Sequence, residues 1–147
     1  MNTGIVEKLG RFFEGREEVQ FAILFGSLAK GTANALSDVD VAVMLAPDYK
    51  DTTPYGYHAT LTAELMRELE RNDVDTVILN RAPIPLKYQV LRYGKFIHIQ
   101  DKEARIRFQI DTINQYDDFR EMYRVHAEAC HQRWESLIDS EAGYLWI

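Results

Sequence analysis

The stretch FGSLAKGTANALSDVDVAVML, residues 25–45, constrains the chain more than any other. It leaves one apolar strand at Phe25, crosses small and polar residues, and enters a second apolar strand that carries Asp38 and Asp40 at positions i and i+2. Side chains two apart on a strand share a face, so the two carboxylates project together, with Ala42 and Met44 behind them and Val39, Val41, Val43 and Leu45 on the opposite face. Carboxylates beside a core are costly unless a cation or a dense set of donors compensates them. Two on one face suit a hard divalent cation, and a third acid from a neighbouring strand would complete a two-metal centre for displacement at phosphorus.

The rest of the chain supplies the frame. Ile5, Leu9, Phe12 and Phe13 are spaced for an amphipathic helix over residues 4–15, and VQFAILF at 19–25 reads as a strand that stops at Gly26. A brief helix fits within 27–34. YHATLTAELMRELERN repeats Leu61, Leu65 and Leu69 every four positions, with Met66 beside them, and predicts a helix of about four turns. DVDTVILN at 73–80 predicts a third strand with Asp73, Asp75, Val77 and Leu79 on one face. A helix through PLKYQVLRYG is closed by Gly94 at C′, KFIHIQ is a small edge strand, and 101–138 reads as one bent helix or two. The third acid is then Asp75 or Asp73; Asp75 is preferred because it lies deeper in the strand.

At 147 residues without repeat, linker or low-complexity tract, the chain reads as one domain. A formal charge of −6 argues against a dedicated nucleic-acid binder, because phosphate backbones are gripped by surplus Lys and Arg. Any phosphate must instead meet a local device: the small residues Gly26 and Ser27 permit close backbone approach, and N–H groups near a helix start bind phosphate oxygens. One cysteine, Cys130, excludes an intrachain disulfide and fits a reducing compartment. The N-terminus lacks the pattern of a signal peptide and no run suits a membrane span, so a cytoplasmic protein without membrane contact is expected.

Gly26-Ser27, ten further residues, Asp38-x-Asp40 and a later strand acid in VDTVIL together resemble the DNA polymerase beta superfamily of nucleotidyltransferases. The short length, GSLAKGTANALSDVDVAV and PLKYQVLRYGKFIHI are similar to its minimal members, the antitoxins that act beside HEPN-domain toxins. The likeness spans about residues 19–100, and nothing is carried onto the helical segment at 101–138. It implies an α/β (α+β) nucleotidyltransferase fold: a small mixed sheet of three or four strands flanked by helices, with the site at one edge. It implies transfer of AMP from ATP to a hydroxyl, with Asp38 and Asp40 holding two Mg²⁺ ions, Asp75 binding the metal nearest the nucleophile and orienting or deprotonating the acceptor, and Gly26 and Ser27 cradling phosphates. The implied acceptor is a tyrosine of a partner HEPN ribonuclease toxin. Two rivals stand beside it: a nucleotidyltransferase acting on a small molecule such as an antibiotic, and a non-catalytic antitoxin that neutralises by binding.

Simpler roles remain for several residues. Gly26 and Gly31 make turns and Ser27 caps a helix equally well on local grounds, and Lys30 either reaches a triphosphate or is a solvated loop lysine. His58 and His98 are read as structural. Arg120 and His126 have the spacing of a HEPN ribonuclease motif, but the remaining helix cannot supply that domain's bundle, and the match is read as chance.

Overall fold

The computed structural model describes residues 2–26 and 38–139. Helix α1 (Asn2–Glu14) is followed by strands β1 (Val19–Phe25) and β2 (Val39–Leu45), helix α2 (Tyr57–Leu69), strand β3 (Val74–Ile78), a 3₁₀ turn (Leu79–Arg81), helix α3 (Ile84–Tyr93), strand β4 (Lys95–Ile99) and helix α4 (Lys102–Asp139). The strands form one mixed sheet in the order β3-β2-β1-β4. β1 is antiparallel to both β2 and β4, whereas β2 and β3 are parallel, as expected for strands joined through a crossover helix. The brief helix expected within 27–34 lies outside the described residues.

Each face of the sheet carries its own apolar cluster. On one side Val39, Val41 and Val43 meet Leu9 and Phe13 of α1 and Leu61, Leu65 and Leu69 of α2. On the other, Phe21, Ile23 and Ala42 meet Val90 of α3 and Ala104 and Phe108 of α4. β1 is central and covered on both faces, which explains its unbroken apolar run. Burying each such side chain contributes about 1.5–3 kcal/mol, so the two clusters fix where the strand ends must lie.

Three expectations need adjustment. The third strand stops at Ile78 rather than 80, because Asn80 turns its side-chain amide onto Leu45: Asn80 Nδ2 donates to the Leu45 carbonyl at 2.8 Å and Asn80 Oδ1 accepts from the Leu45 N–H at 2.9 Å. A side-chain amide thus takes the place of the next backbone rung. Segment 101–138 forms one helix, whose Ala104, Phe108 and Thr112 are buried, while residues 120–133 are exposed. Gly94 does end α3, but with φ −82° and ψ 168°, an extended conformation open to any residue. Its requirement is space, since a β-carbon there would collide with the Val90 carbonyl oxygen and Ile23 Cγ2.

His58 Nε2 lies 2.8 Å from the Thr76 carbonyl and ties α2 to β3, and the His98 ring stacks on Phe13, so both histidines occupy structural positions. Among the described residues no helix is long and apolar enough to cross a membrane.

Gly94→Ala is expected to destabilise the fold by about 1–3 kcal/mol through overpacking. Gly15→Ala, where an added methyl meets nothing within 4 Å, is the control and should be neutral or stabilising by up to about 1 kcal/mol. Urea unfolding midpoints of the two variants check the contrast.

Candidate active site

The acidic residues converge at one end of the sheet. β1 ends there at Phe25, and β2 and β3 both begin there, since their parallel register sets Val39 against Val74 and Asp40 against Asp75. Asp40 and Asp75 therefore occupy one rung of the β2–β3 ladder, on the face that also carries Ala42. Asp38 precedes β2 by one residue and is exposed, Asp75 is exposed, and Asp40 is half-buried. The chain brings together three acids that are 37 residues apart at the extremes of its sequence.

Gly26 closes the site from β1. It follows Phe25, the register partner of Asp40, and adopts φ +81°, a conformation that favours glycine. A β-carbon at this position would overlap Asp40 Oδ2. The sequence left Gly26 a role at phosphates or in a turn; its abutment on the Asp40 carboxylate is an additional requirement that depends on strand register. Ser27, with Lys30 and Gly31, lies outside the described residues.

Electrostatics mark Asp40 as the focal group. Burial, chiefly, together with the negative charges of Asp75 and Asp38, pushes its carboxyl above the usual carboxylate range. Asp73, the rival third acid, has a different environment. Arg71 Nε donates to its Oδ1 at 2.8 Å and Arg71 Nη2 to its Oδ2 at 2.6 Å, and this bidentate bond holds the Asp73 carboxyl below the usual range. Asp73 is engaged by its own cation, whereas Asp75 faces Asp40. Among the described residues no group of three or more histidine, cysteine, aspartate or glutamate side chains is placed to hold a metal ion. Arg120 and His126 lie far along α4, both exposed.

A polymerase beta nucleotidyltransferase family model matches residues 7–103, which contain β1, the acidic strands and the sheet's remaining edge. The chain belongs to the polymerase beta nucleotidyltransferase family. Within the family it is 33% identical over 99 residues to protein adenylyltransferase MntA of Shewanella oneidensis, covering 67% of each chain. Two solved structures share the nucleotidyltransferase fold. A toxin–antitoxin solved with AMP-PNP matches at 25% identity and TM-score 0.70, over 86% of this chain and 98% of its own. The MNT antitoxin in complex with a tri-AMPylated HEPN toxin from Shewanella oneidensis matches at 23% identity and TM-score 0.67, over 89% and 99%.

The raised Asp40 carboxyl sets a stability test on the metal-free nucleotidyltransferase. A carboxyl whose folded pKa exceeds its unfolded value favours folding below the unfolded pKa and loses that contribution as pH rises through the folded value. At pH 7 ionised Asp40 is thus a destabilising charge, and Asp40→Asn should melt above wild type. The gap should close as pH falls below the ordinary carboxylate range, where both proteins are neutral at this position. Melting curves between pH 3 and 8 in a chelator report it; a variant that melts lower at pH 7 contradicts the electrostatic account.

Proposed function

We propose that this nucleotidyltransferase transfers AMP from ATP to a tyrosine hydroxyl of a HEPN-domain toxin in the cytoplasm, and so neutralises the toxin. The observation that carries the reading is the Asp40–Asp75 rung with Asp38 beside it, faced by Gly26. Likeness to a protein adenylyltransferase, and to an antitoxin assembled with a tri-AMPylated HEPN toxin, supports the acceptor.

The donor set suits Mg²⁺, which takes hard oxygen ligands, is held by one or two carboxylates plus substrate phosphates, and does not need an all-protein cage. Asp38 and Asp40 would hold two such ions, with Asp75 contributing to the one on the acceptor side. When bound, the ions neutralise the triphosphate and the charge that develops on the leaving pyrophosphate.

The chain's own residues do the remainder. Gly26 and Ser27 offer a backbone without bulk against the phosphates. Asp75 accepts a hydrogen bond from the acceptor hydroxyl and takes its proton as the oxygen attacks the α-phosphorus. The new O–P bond forms as the bond to pyrophosphate breaks, and pyrophosphate carries away the electron pair. The rigid strands hold acceptor and donor in line, and such alignment with fixed electrostatics supplies most of the rate in phosphoryl-type transfer.

Labelled ATP, Mg²⁺ and the HEPN toxin should give tyrosine-linked AMP detectable by intact mass, and Asp40→Asn should abolish it, a loss of several kcal/mol in transition-state stabilisation. Ser27→Ala should slow single-turnover transfer less than Asp38→Asn, because one neutral hydrogen bond is worth about 0.5–1.5 kcal/mol and neighbouring backbone donors remain. Equal labelling by wild type and folded Asp40→Asn contradicts the site. An unmodified toxin that is nevertheless neutralised selects binding alone.

A further inference from the structure

Arg71 and Asp73 lie outside the acidic rung, yet they join it to the body of the protein. Helix α2 ends at Leu69, and Glu70 turns the chain with φ 54° and ψ 42°. The Glu70 N–H donates to the Arg67 carbonyl at 3.3 Å and the Arg71 N–H to the Met66 carbonyl at 3.0 Å, so the Arg71 backbone is fixed by the helix cap. Its guanidinium then reaches two residues ahead and grips Asp73 through two parallel bonds, with side chains only 23% and 32% exposed. The Asp73 carbonyl in turn accepts the Val39 N–H at 2.9 Å, immediately after Asp38.

These links form one path: α2 cap, Arg71, Asp73, the start of β2 beside Asp38, and β3 two residues before Asp75. β3 needs such an anchor. It has five residues, pairs with β2 alone among the described strands, and meets the repulsion of Asp40 on its second rung. An edge strand with that load frays from its first residues unless something pins them.

We propose that Arg71 and Asp73 are positioning residues of the nucleotidyltransferase site, a clamp that holds the first turn of β3 so that Asp75 stays opposite Asp40. The proposal rests on the reading of Asp75 as the acceptor-side acid. Asp73 is then a support for the third carboxylate rather than a rival to it. Chiefly through the Asp73 hydrogen bond, with the charges of Asp73 and Asp38 adding, the guanidinium is further stabilised in its cationic form, in accord with this arrangement.

Hydrogen exchange of the free chain tests the clamp without any substrate. Arg71→Gln should speed exchange in a peptide covering 73–78 by about 10-fold or more, while a peptide within 57–69 stays unchanged. Asp40→Asn should leave both peptides as slow as wild type. Activity adds a second readout. With the HEPN toxin as acceptor, Arg71→Gln and Asp73→Asn should each lower kcat by about 10–100-fold, the size seen when supports of metal ligands are removed. KM for ATP should stay within about threefold, because Asp38 and Asp40 remain in place. In an Asp75→Asn background Arg71→Gln should add no further loss, since it acts through Asp75. Arg71→Lys, which cannot form the paired bonds, should restore little.

Unchanged exchange at 73–78 in Arg71→Gln overturns the clamp whatever the acceptor is. So does a multiplied loss in the Asp75→Asn background, or a kcat equal to wild type while Asp40→Asn is inactive. Failure of wild type itself to modify the toxin counts instead against the proposed acceptor, and the exchange result then decides the clamp alone.

Discussion

The structure depends on keeping negative charges together where they repel. Two unit charges one strand spacing apart oppose each other by on the order of 3 kcal/mol at an effective dielectric of 20, and by less where solvent screens them. Partial burial, chiefly, and then this repulsion from Asp75 and Asp38 push the Asp40 carboxyl above the usual range. The opposing force is hydrophobic. Val39, Val41 and Val43 are fully buried on the α1/α2 side, and Ala42 is fully buried on the other. With each large apolar side chain contributing about 1.5–3 kcal/mol, the clusters exceed the repulsion and hold the sheet together despite it. The result is negative charge gathered at a fixed place, as the proposed function requires before a substrate arrives.

The same logic explains why glycine stands at the end of β1. Most turns tolerate a small polar residue, but at φ +81° and with Asp40 Oδ2 where a β-carbon would sit, a side chain at position 26 is strained and displaces the Asp40 carboxylate. One glycine meets a conformational demand and a packing demand together, and the second arises from the neighbouring carboxylate. Its use at the phosphates would be a third.

Much of this was legible in the sequence, for reasons that separate local from distant information. β1 and β2 announce themselves by composition and alternation, and the i, i+2 spacing of Asp38 and Asp40 puts them on one face of any strand. Leu61, Leu65 and Leu69 mark the buried side of α2 by their four-residue repeat. What escaped depends on partners far along the chain. Alternation through Leu79 suggested a longer third strand, and only the reach of Asn80 to Leu45 ends it. Gly94 was legible as the residue that closes α3, whereas its constraint is space against the Val90 carbonyl and against Ile23, the latter some seventy residues earlier. The pairing of Asp40 with Asp75 rests on a parallel register across a crossover helix, which no local pattern specifies. The Arg71–Asp73 bond lies within three residues of sequence and was still missed, because the meaning of that spacing depends on the helix cap before it.

The sheet order has a consequence for solubility. Among the described strands β3 forms an outer edge, paired on one side, and such edges invite strands from other molecules. Natural proteins guard them with shortness and charge. β3 has five residues, carries Asp75 on its second position, and follows directly on Asp73 and Arg71. The Asp75 charge that faces Asp40 thus also discourages intruding strands, and the demands of the proposed site and of remaining unaggregated fall on the same side chain.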